Sequence, residues 1–231
     1  MAPPKDEVTG TLYVVATPIG NMEDISYRAV RILSSVDGII CEDTRHTAKL
    51  LNRYEIKKPL YSYHSYNKER VSDKILNKIV EGKDLALVTD SGTPCISDPG
   101  TLLVSQAVEM NIPIVPIPGP SAFVTLLSIS GFPTNSFQFT GFLSIKKNKR
   151  LKRLNELSNY KGVIILYESP HRILKLIEEM AEVFPEQNIL VGRELTKKFE
   201  ETYRGTGKEL FQNKESLKIK GEYTILIDNF S

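Results

Sequence analysis

Leu12-Tyr13-Val14-Val15-Ala16, followed at once by Thr17-Pro18-Ile19-Gly20-Asn21, decides how this 231-residue chain is read. The first five residues are uniformly apolar, which suits a strand buried on both faces of a parallel sheet rather than a half-exposed one. The next five cannot prolong it and form a polar Pro/Gly turn at its carboxyl end. The same grammar recurs downstream. Residues 38–41, 59–63, 85–89 and 113–117 read as further strands. Helical spacing falls between them: Ile25, Ala29, Ile32, Leu33 and Val36 behind a cap at Asp24, then 44–54, then Val71, Ile75, Leu76, Ile79 and Val80 up to Gly82, then 102–110. Strand and helix alternating in this way predict an α/β sheet with helices on its faces.

The pattern breaks at Pro116-Ile117-Pro118-Gly119-Pro120, where three prolines stop both strand and helix. A domain boundary is expected here, giving an amino-terminal α/β domain over 1–118 and a carboxyl-terminal α/β domain over 119–231. The second half reads as helix 121–129, strand 137–142, a basic helix, strand 163–167, helix 171–184 and strand 188–191. Two strands follow with little helix between, 199–206 and 222–227. A mostly parallel first sheet and a mixed second sheet are expected, with residues 1–9 disordered.

Composition narrows the class. Hydrophobic residues at 41% and charged ones at 25% exclude a collagen, a coiled coil or wholesale disorder. No run approaches the ~18 apolar residues of a membrane span, and the first ten residues have no apolar core for a secretion signal. Cys41 and Cys95 form no CxxC and no disulfide framework, so a reducing cytoplasm is the expected location and no membrane is involved. The net charge of +2 hides an asymmetry. Lys146, Lys147, Lys149, Arg150, Lys152 and Arg153 supply six of the positive charges, and setting them aside turns the +2 into −4. A basic segment on a mildly acidic body reads as a phosphate contact, against the plainer reading of a solvated helix face, with 146–149 on a loop ahead of the helix. Tyr61, Tyr63 and Tyr66 around His64 offer stacking faces for bases, or simply pack as a strand.

Ligands of open α/β sheets bind beyond the carboxyl ends of the strands, and the polar, glycine-rich segments fall there: 17–21, 42–47, 90–94, 118–122, 168–172 and 192–194. Each has a structural reading alone. Asp43 and Arg45 can balance each other and the helix dipole; Ser169 and Pro170 can open a helix. Their clustering at sheet ends favours a site. Missing motifs constrain it: GxGxxG, GxxxxGK[ST] and GxSxG are absent, and His46, His64, His171 and two scattered cysteines give no zinc spacing, so no metal is expected.

Read in order, ATPIGN (16–21), CEDTRHT (41–47), DSGTPCISDPG (90–100), PIPGPSA (116–122), GFPT (131–134), YESPHRI (167–173) and GRELTKKFEE (192–201) resemble the tetrapyrrole-methylase superfamily, the class III S-adenosyl-L-methionine (SAM) methyltransferases. The likeness is greatest to its branch acting on small-subunit ribosomal RNA, and spans Gly10 to Ile227. It implies two α/β domains with the active-site cleft between them, a homodimer, SAM as methyl donor, and 2′-O-methylation of a cytidine ribose in the decoding region of 16S rRNA. By motif, Asp90, Ser91, Gly92, Thr93, Pro94, Ser121 and Ala122 are implied in SAM binding, with Pro18 and Ile19 lining the pocket. Tyr167, Arg193, Glu194, Gly221, Glu222 and Thr224 are implied from the second domain. Ser91 and Cys95 depart from the usual residues of that loop. Many relatives continue with carboxyl-terminal helices beyond the equivalent of Ser231, so grip on RNA is expected from 146–153, a dimer groove or the assembled subunit.

Methyl transfer needs the acceptor oxygen aligned with the methyl carbon, and a hydroxyl gains from a nearby base. Asp43 or His46 is expected in that role, with Arg45 on an adjacent phosphate and Glu168 as a further candidate; Glu42 and His171 are also available. The competing readings are the same fold acting on a tetrapyrrole or a protein, and a non-catalytic RNA-binding module. A dehydrogenase is disfavoured by the absent dinucleotide fingerprint.

Overall fold

The computed structural model describes residues 9–64 and 68–230, and the chain divides between Ser121 and Ala122 into two compact units. The expected disorder over 1–9 lies, apart from Thr9, outside the described residues, as does Tyr66.

In the first unit, β1 (Leu12–Val15), β2 (Gly38–Cys41), β3 (Leu60–Ser62), β4 (Leu85–Leu87) and β5 (Ile114–Ile117) form one sheet in the order β3-β2-β4-β1-β5. Every pairing is parallel. The connections carry α1 (Tyr27–Ser35), α2 (Thr44–Arg53), α3 (Lys68–Val80) and α4 (Thr101–Glu109). Ala29, Ile32 and Leu33 of α1 pack with Val15, Ile39 and Cys41 in one buried cluster. Ile75, Leu76 and Ile79 of α3 and Leu103 of α4 join Leu12, Ile40 and Leu87 in another. Helices therefore cover both faces, which is why the strands are uniformly apolar. The cap of α1 is Ser26, whose hydroxyl accepts the Ala29 N–H at 3.1 Å, and not Asp24, which lies in a short 3₁₀ turn before it.

In the second unit, α5 (Ala122–Ser128) precedes β6 (Phe137–Phe142), α6 (Lys147–Leu157), β7 (Gly162–Glu168), α7 (Ile173–Val183), β8 (Asn188–Arg193), β9 (Glu201–Thr206), α8 (Gly207–Gln212) and β10 (Tyr223–Asn229). The sheet order is β6-β7-β10-β8-β9, with only β6–β7 parallel. The last strand lies between β7 and β8, so the expected closing edge is a central strand, consistent with its near-complete burial. The basic helix begins at Lys147, so Lys147 and Lys149 belong to α6 rather than to a preceding loop. Helix α7 starts at Ile173 with no side-chain cap, two residues later than expected: Ser169 to Arg172 form a separate turn closed by the Arg172 N–H on the Ser169 carbonyl, 3.1 Å. Among the described residues no helix is long and apolar enough to cross a membrane.

Candidate active site

Three loops at the carboxyl edge of the first sheet are tied together by a backbone bridge and by threonine hydroxyls. Thr17, directly after β1, and Gly92, after β4, form an isolated antiparallel bridge: the Thr17 N–H donates to the Gly92 carbonyl at 2.8 Å and the Gly92 N–H to that of Thr17 at 3.2 Å. The buried Thr17 hydroxyl donates to the Thr89 carbonyl at 3.0 Å. Thr93 donates its hydroxyl to the Pro120 carbonyl at 3.1 Å, fastening the turn after β5. Gly92 holds φ at +90°, a conformation side-chain-bearing residues resist. Gly119 is needed for closeness: a Cβ there would lie 3.0 Å from that of Ala16. Pro18 and Ile19, in the first of these loops, are buried.

Beside this knot an open hollow of about 470 Å³ is lined by Glu42, Asp43, Thr44, Arg45, Ser62, His64 and Asp90. It sits over the carboxyl ends of β2, β3 and β4, so residues far apart in sequence share one wall. Asp43 caps α2 and its N–H reaches the Asp90 carboxylate at 3.3 Å. Both Asp43 oxygens are engaged. Oδ1 accepts the Arg45 N–H at 2.8 Å and its Nε at 3.1 Å, while Oδ2 accepts Nη2 at 2.8 Å. The Arg45 guanidinium thus holds the Asp43 carboxyl well below the usual carboxylate range. Glu42 is the opposite case. Burial, and then the charges of Asp90 and Asp43, push its carboxyl up, with His64 pulling the other way. Burial likewise pushes the Cys41 thiol up. His46 lies on the exposed side of α2 and does not line the hollow.

The predicted residues of the second unit are tied into its own framework. Arg193 is buried and donates to the carbonyls of Lys220 (2.7 Å) and Phe199 (3.0 Å) and to Glu201 (3.0 Å). Lys197 bridges Glu194 and Glu222 at 2.9 and 2.8 Å, and Gly221, at φ +91°, leaves room for the Glu194 side chain. Thr224 is buried in β10 between Tyr167 and Gly192 on the neighbouring strands. Tyr167 meets Phe139 and Phe142 edge-on. The Glu168 side chain is fully buried; Oε1 accepts the Ser169 N–H at 2.7 Å and pairs with Arg172 at 2.6 Å, while Oε2 is buried with no hydrogen-bond partner among the described residues. His171 is exposed.

The basic segment resolves into two kinds of residue. Lys146, Lys147, Lys149 and Lys152 are exposed, and Arg153 pairs with Glu156 at the surface. Arg150, expected with them at an RNA face, is instead buried against Glu179, because its position in α6 points into the α6–α7 packing. Thr17 and Ser62 are the site residues beyond those singled out individually in the sequence. Thr17 is the polar residue directly after apolar β1, within the 17–21 segment, whereas Ser62 is the last residue of β3, inside the strand expected over 59–63, and carries no such signal. Among the described residues no group of three or more His, Cys, Asp or Glu is arranged to hold a metal.

The tetrapyrrole (corrin/porphyrin) methylase family profile matches residues 11–210. The ribosomal RNA small subunit methyltransferase I of Halalkalibacterium halodurans is 46% identical over 219 residues, which cover 95% of this chain and 76% of that protein. Among solved structures, a cobalamin biosynthetic enzyme, cobalt precorrin-4 methyltransferase, superposes with a TM-score of 0.70 at 17% identity, over 98% of this chain and 97% of the other. The uroporphyrin-III C-methyltransferase of Thermus thermophilus in complex with S-adenosylhomocysteine gives 0.64 at 16% identity, over 94% and 97%. At such identities the structural likeness speaks for the fold.

Proposed function

We propose, from the premise that the chain belongs to the tetrapyrrole (corrin/porphyrin) methylase family and within it to the ribosomal RNA small subunit methyltransferase I group, that it methylates small-subunit ribosomal RNA with SAM as donor. The acceptor is the ribose 2′-hydroxyl of a cytidine in the decoding region of 16S rRNA. The enzyme works as a homodimer in the cytoplasm.

The observation that carries this reading is the closure of the loops after β1, β4 and β5 by Thr17–Gly92 and Thr93–Pro120, beside a hollow walled by carboxylates. The residues present fit the donor. SAM carries a sulfonium and an ammonium group, and Asp90, in the loop after β4, supplies negative charge where a cation is to be held. Asp90, Ser91, Gly92, Thr93 and Pro94, with Pro18, Ile19, Ser121 and Ala122, form the binding loops. SAM supplies an electrophilic methyl group on a good leaving group. The protein's part is alignment of the hydroxyl and removal of its proton. The exposed Lys146, Lys147, Lys149 and Lys152 hold the RNA backbone by counterion release. From the second unit, Tyr167, Glu168 and Thr224 are the remaining candidates for cofactor contact. Arg193, Glu194 and Glu222 act by shaping their own loop.

The test has two parts. Added SAM raises the melting temperature, because a ligand bound only by the native state stabilises it. Incubation with SAM and small ribosomal subunits lacking the modification then places one methyl on a cytidine 2′-oxygen, mapped by mass spectrometry. Methyl transfer to a tetrapyrrole or protein instead would favour the same-fold alternative. No response to SAM would leave an RNA-binding module.

A further inference from the structure

We propose that Glu42, rather than Asp43 or His46, is the catalytic base that takes the proton of the acceptor hydroxyl; the inference rests on the methyltransferase reading above. Three side chains of the 41–47 segment compete for the role, and the geometry separates them.

Asp43 is spent on structure. It caps α2, and both its oxygens are occupied by Arg45, the guanidinium at 2.8 and 3.1 Å and the backbone N–H at 2.8 Å. A carboxylate so fully hydrogen-bonded in its charged form is a weak base, and freeing it would break the start of the helix. His46 lies two positions into α2, on its exposed side and outside the hollow.

Glu42 has what the others lack. It stands on the one-residue step between the end of β2 at Cys41 and the cap of α2, so its backbone is fixed from both sides. It is half-buried in the wall of the hollow, facing Asp90, Asp43 and His64, and no hydrogen bond among the described residues engages its carboxylate. Burial and two neighbouring carboxylates make it more willing to accept a proton than an ordinary glutamate, and His64 limits that shift. Asp90 is held by the Asp43 N–H and belongs to the loop assigned to SAM, so Glu42 borders the donor loop without being part of it.

The step balances without another reagent. The 2′-oxygen gains the methyl carbon, the sulfur keeps the bonding pair and becomes a neutral thioether, and the hydroxyl proton passes to the Glu42 carboxylate. Release of that proton to water restores the base.

Glu42→Gln keeps the side-chain volume and removes the basicity. With unmodified small subunits as acceptor, methyl transfer is expected to fall by about 10²–10⁴-fold, the usual contribution of a positioned base. The SAM-induced rise in melting temperature and the affinity for the subunit stay as in the wild type. Asp43→Asn, which can still cap α2, loses much less. In wild-type protein without SAM, carbon-detected NMR is expected to show a glutamate carboxyl titrating above the ordinary value of 4.5 that is missing in Glu42→Gln. Near-wild-type turnover of Glu42→Gln, or an equal loss in Asp43→Asn, overturns the assignment while leaving the function intact. A wild-type protein that methylates no ribosomal RNA overturns both.

Discussion

Arg150 and Glu179 meet in a two-pronged ion pair, Nε to Oε2 at 2.5 Å and Nη2 to Oε1 at 2.6 Å, with side chains only 6% and 5% exposed. The remaining guanidinium nitrogen donates to the carbonyls of Ser144 and Ile145 at 3.0 and 3.1 Å, and Arg172 takes the neighbouring Leu143 carbonyl at 3.1 Å. Three consecutive carbonyls of the turn before α6 are thereby fixed from beneath.

Removing one partner leaves a buried charge without compensation. Arg150→Met or Glu179→Leu alone is expected to cost roughly 3 kcal/mol of unfolding free energy, measured by urea denaturation. The double substitution should recover most of that loss, because an apolar pair needs no desolvated charge. Single variants as stable as the wild type would mean the pair contributes nothing to the fold.

That burial also alters the RNA prediction. Replacing Lys146, Lys147 and Lys149 by Ala should flatten the slope of log affinity against log salt by roughly 2 to 3, at about 0.7–0.9 for each phosphate left without its lysine. The buried Arg150 is no part of that sum. Salt titration of subunit binding gives the slope directly, and an unchanged slope would assign these lysines to solvation.

The first unit was legible in the sequence because a parallel sheet covered on both faces leaves an unbroken apolar run at each strand and a polar loop at each carboxyl end. Its loops were legible as a cluster for the same reason. The sequence could not show which polar partners cancel one another. CEDTRHT presents two carboxylates, one arginine and one histidine as equals, and only the fold reveals that Arg45 consumes Asp43 while Glu42 faces the hollow. Arg150 was unreadable for a related reason. One position in a run of cations turns inward only once α6 has packed on α7, and nothing local marks it. The place of β10 inside its sheet depends on pairings with β7 and β8 that are distant in the chain.

A third expectation concerns pH. Lys218, Tyr203 and Arg193 pull the Glu201 carboxyl down to about 2. Its contribution to stability is therefore complete above the unfolded value of 4.5 and is lost as pH falls towards 2. Burial, and then Glu201, push the Tyr203 phenol up to about 12. That contribution is complete below 10 and is lost as pH rises towards 12. Urea denaturation across pH should show the gap between wild type and Glu201→Gln narrowing as pH falls from 4.5 towards 2. Tyr203→Phe should flatten the alkaline fall between 10 and 12, and, because the two side chains share a hydrogen bond, each variant also weakens the other's pH response. A gap that ignores pH would show that neither group is coupled to folding.

The last expectation isolates the loop closure from the backbone strain that accompanies it. Gly92 and Gly131 both hold positive φ, +90° and +76°, so alanine at either position costs about 1–2 kcal/mol in the backbone alone. Space does not distinguish them sharply. A Cβ on Gly92 would find Ile19 Cγ2 at 3.4 Å, an ordinary contact, and one on Gly131 would meet nothing within 4 Å among the described residues. What differs is the bond network, since Gly92 alone exchanges two backbone hydrogen bonds with Thr17. If alanine relaxes the loop towards negative φ, that exchange is broken and the β4 loop leaves its place beside β1. Gly92→Ala and Gly131→Ala should then lose similar stability, while only Gly92→Ala loses its thermal response to SAM. Equal SAM responses in the two variants would show that the Thr17–Gly92 bridge holds the sheet edge together without shaping a cofactor site.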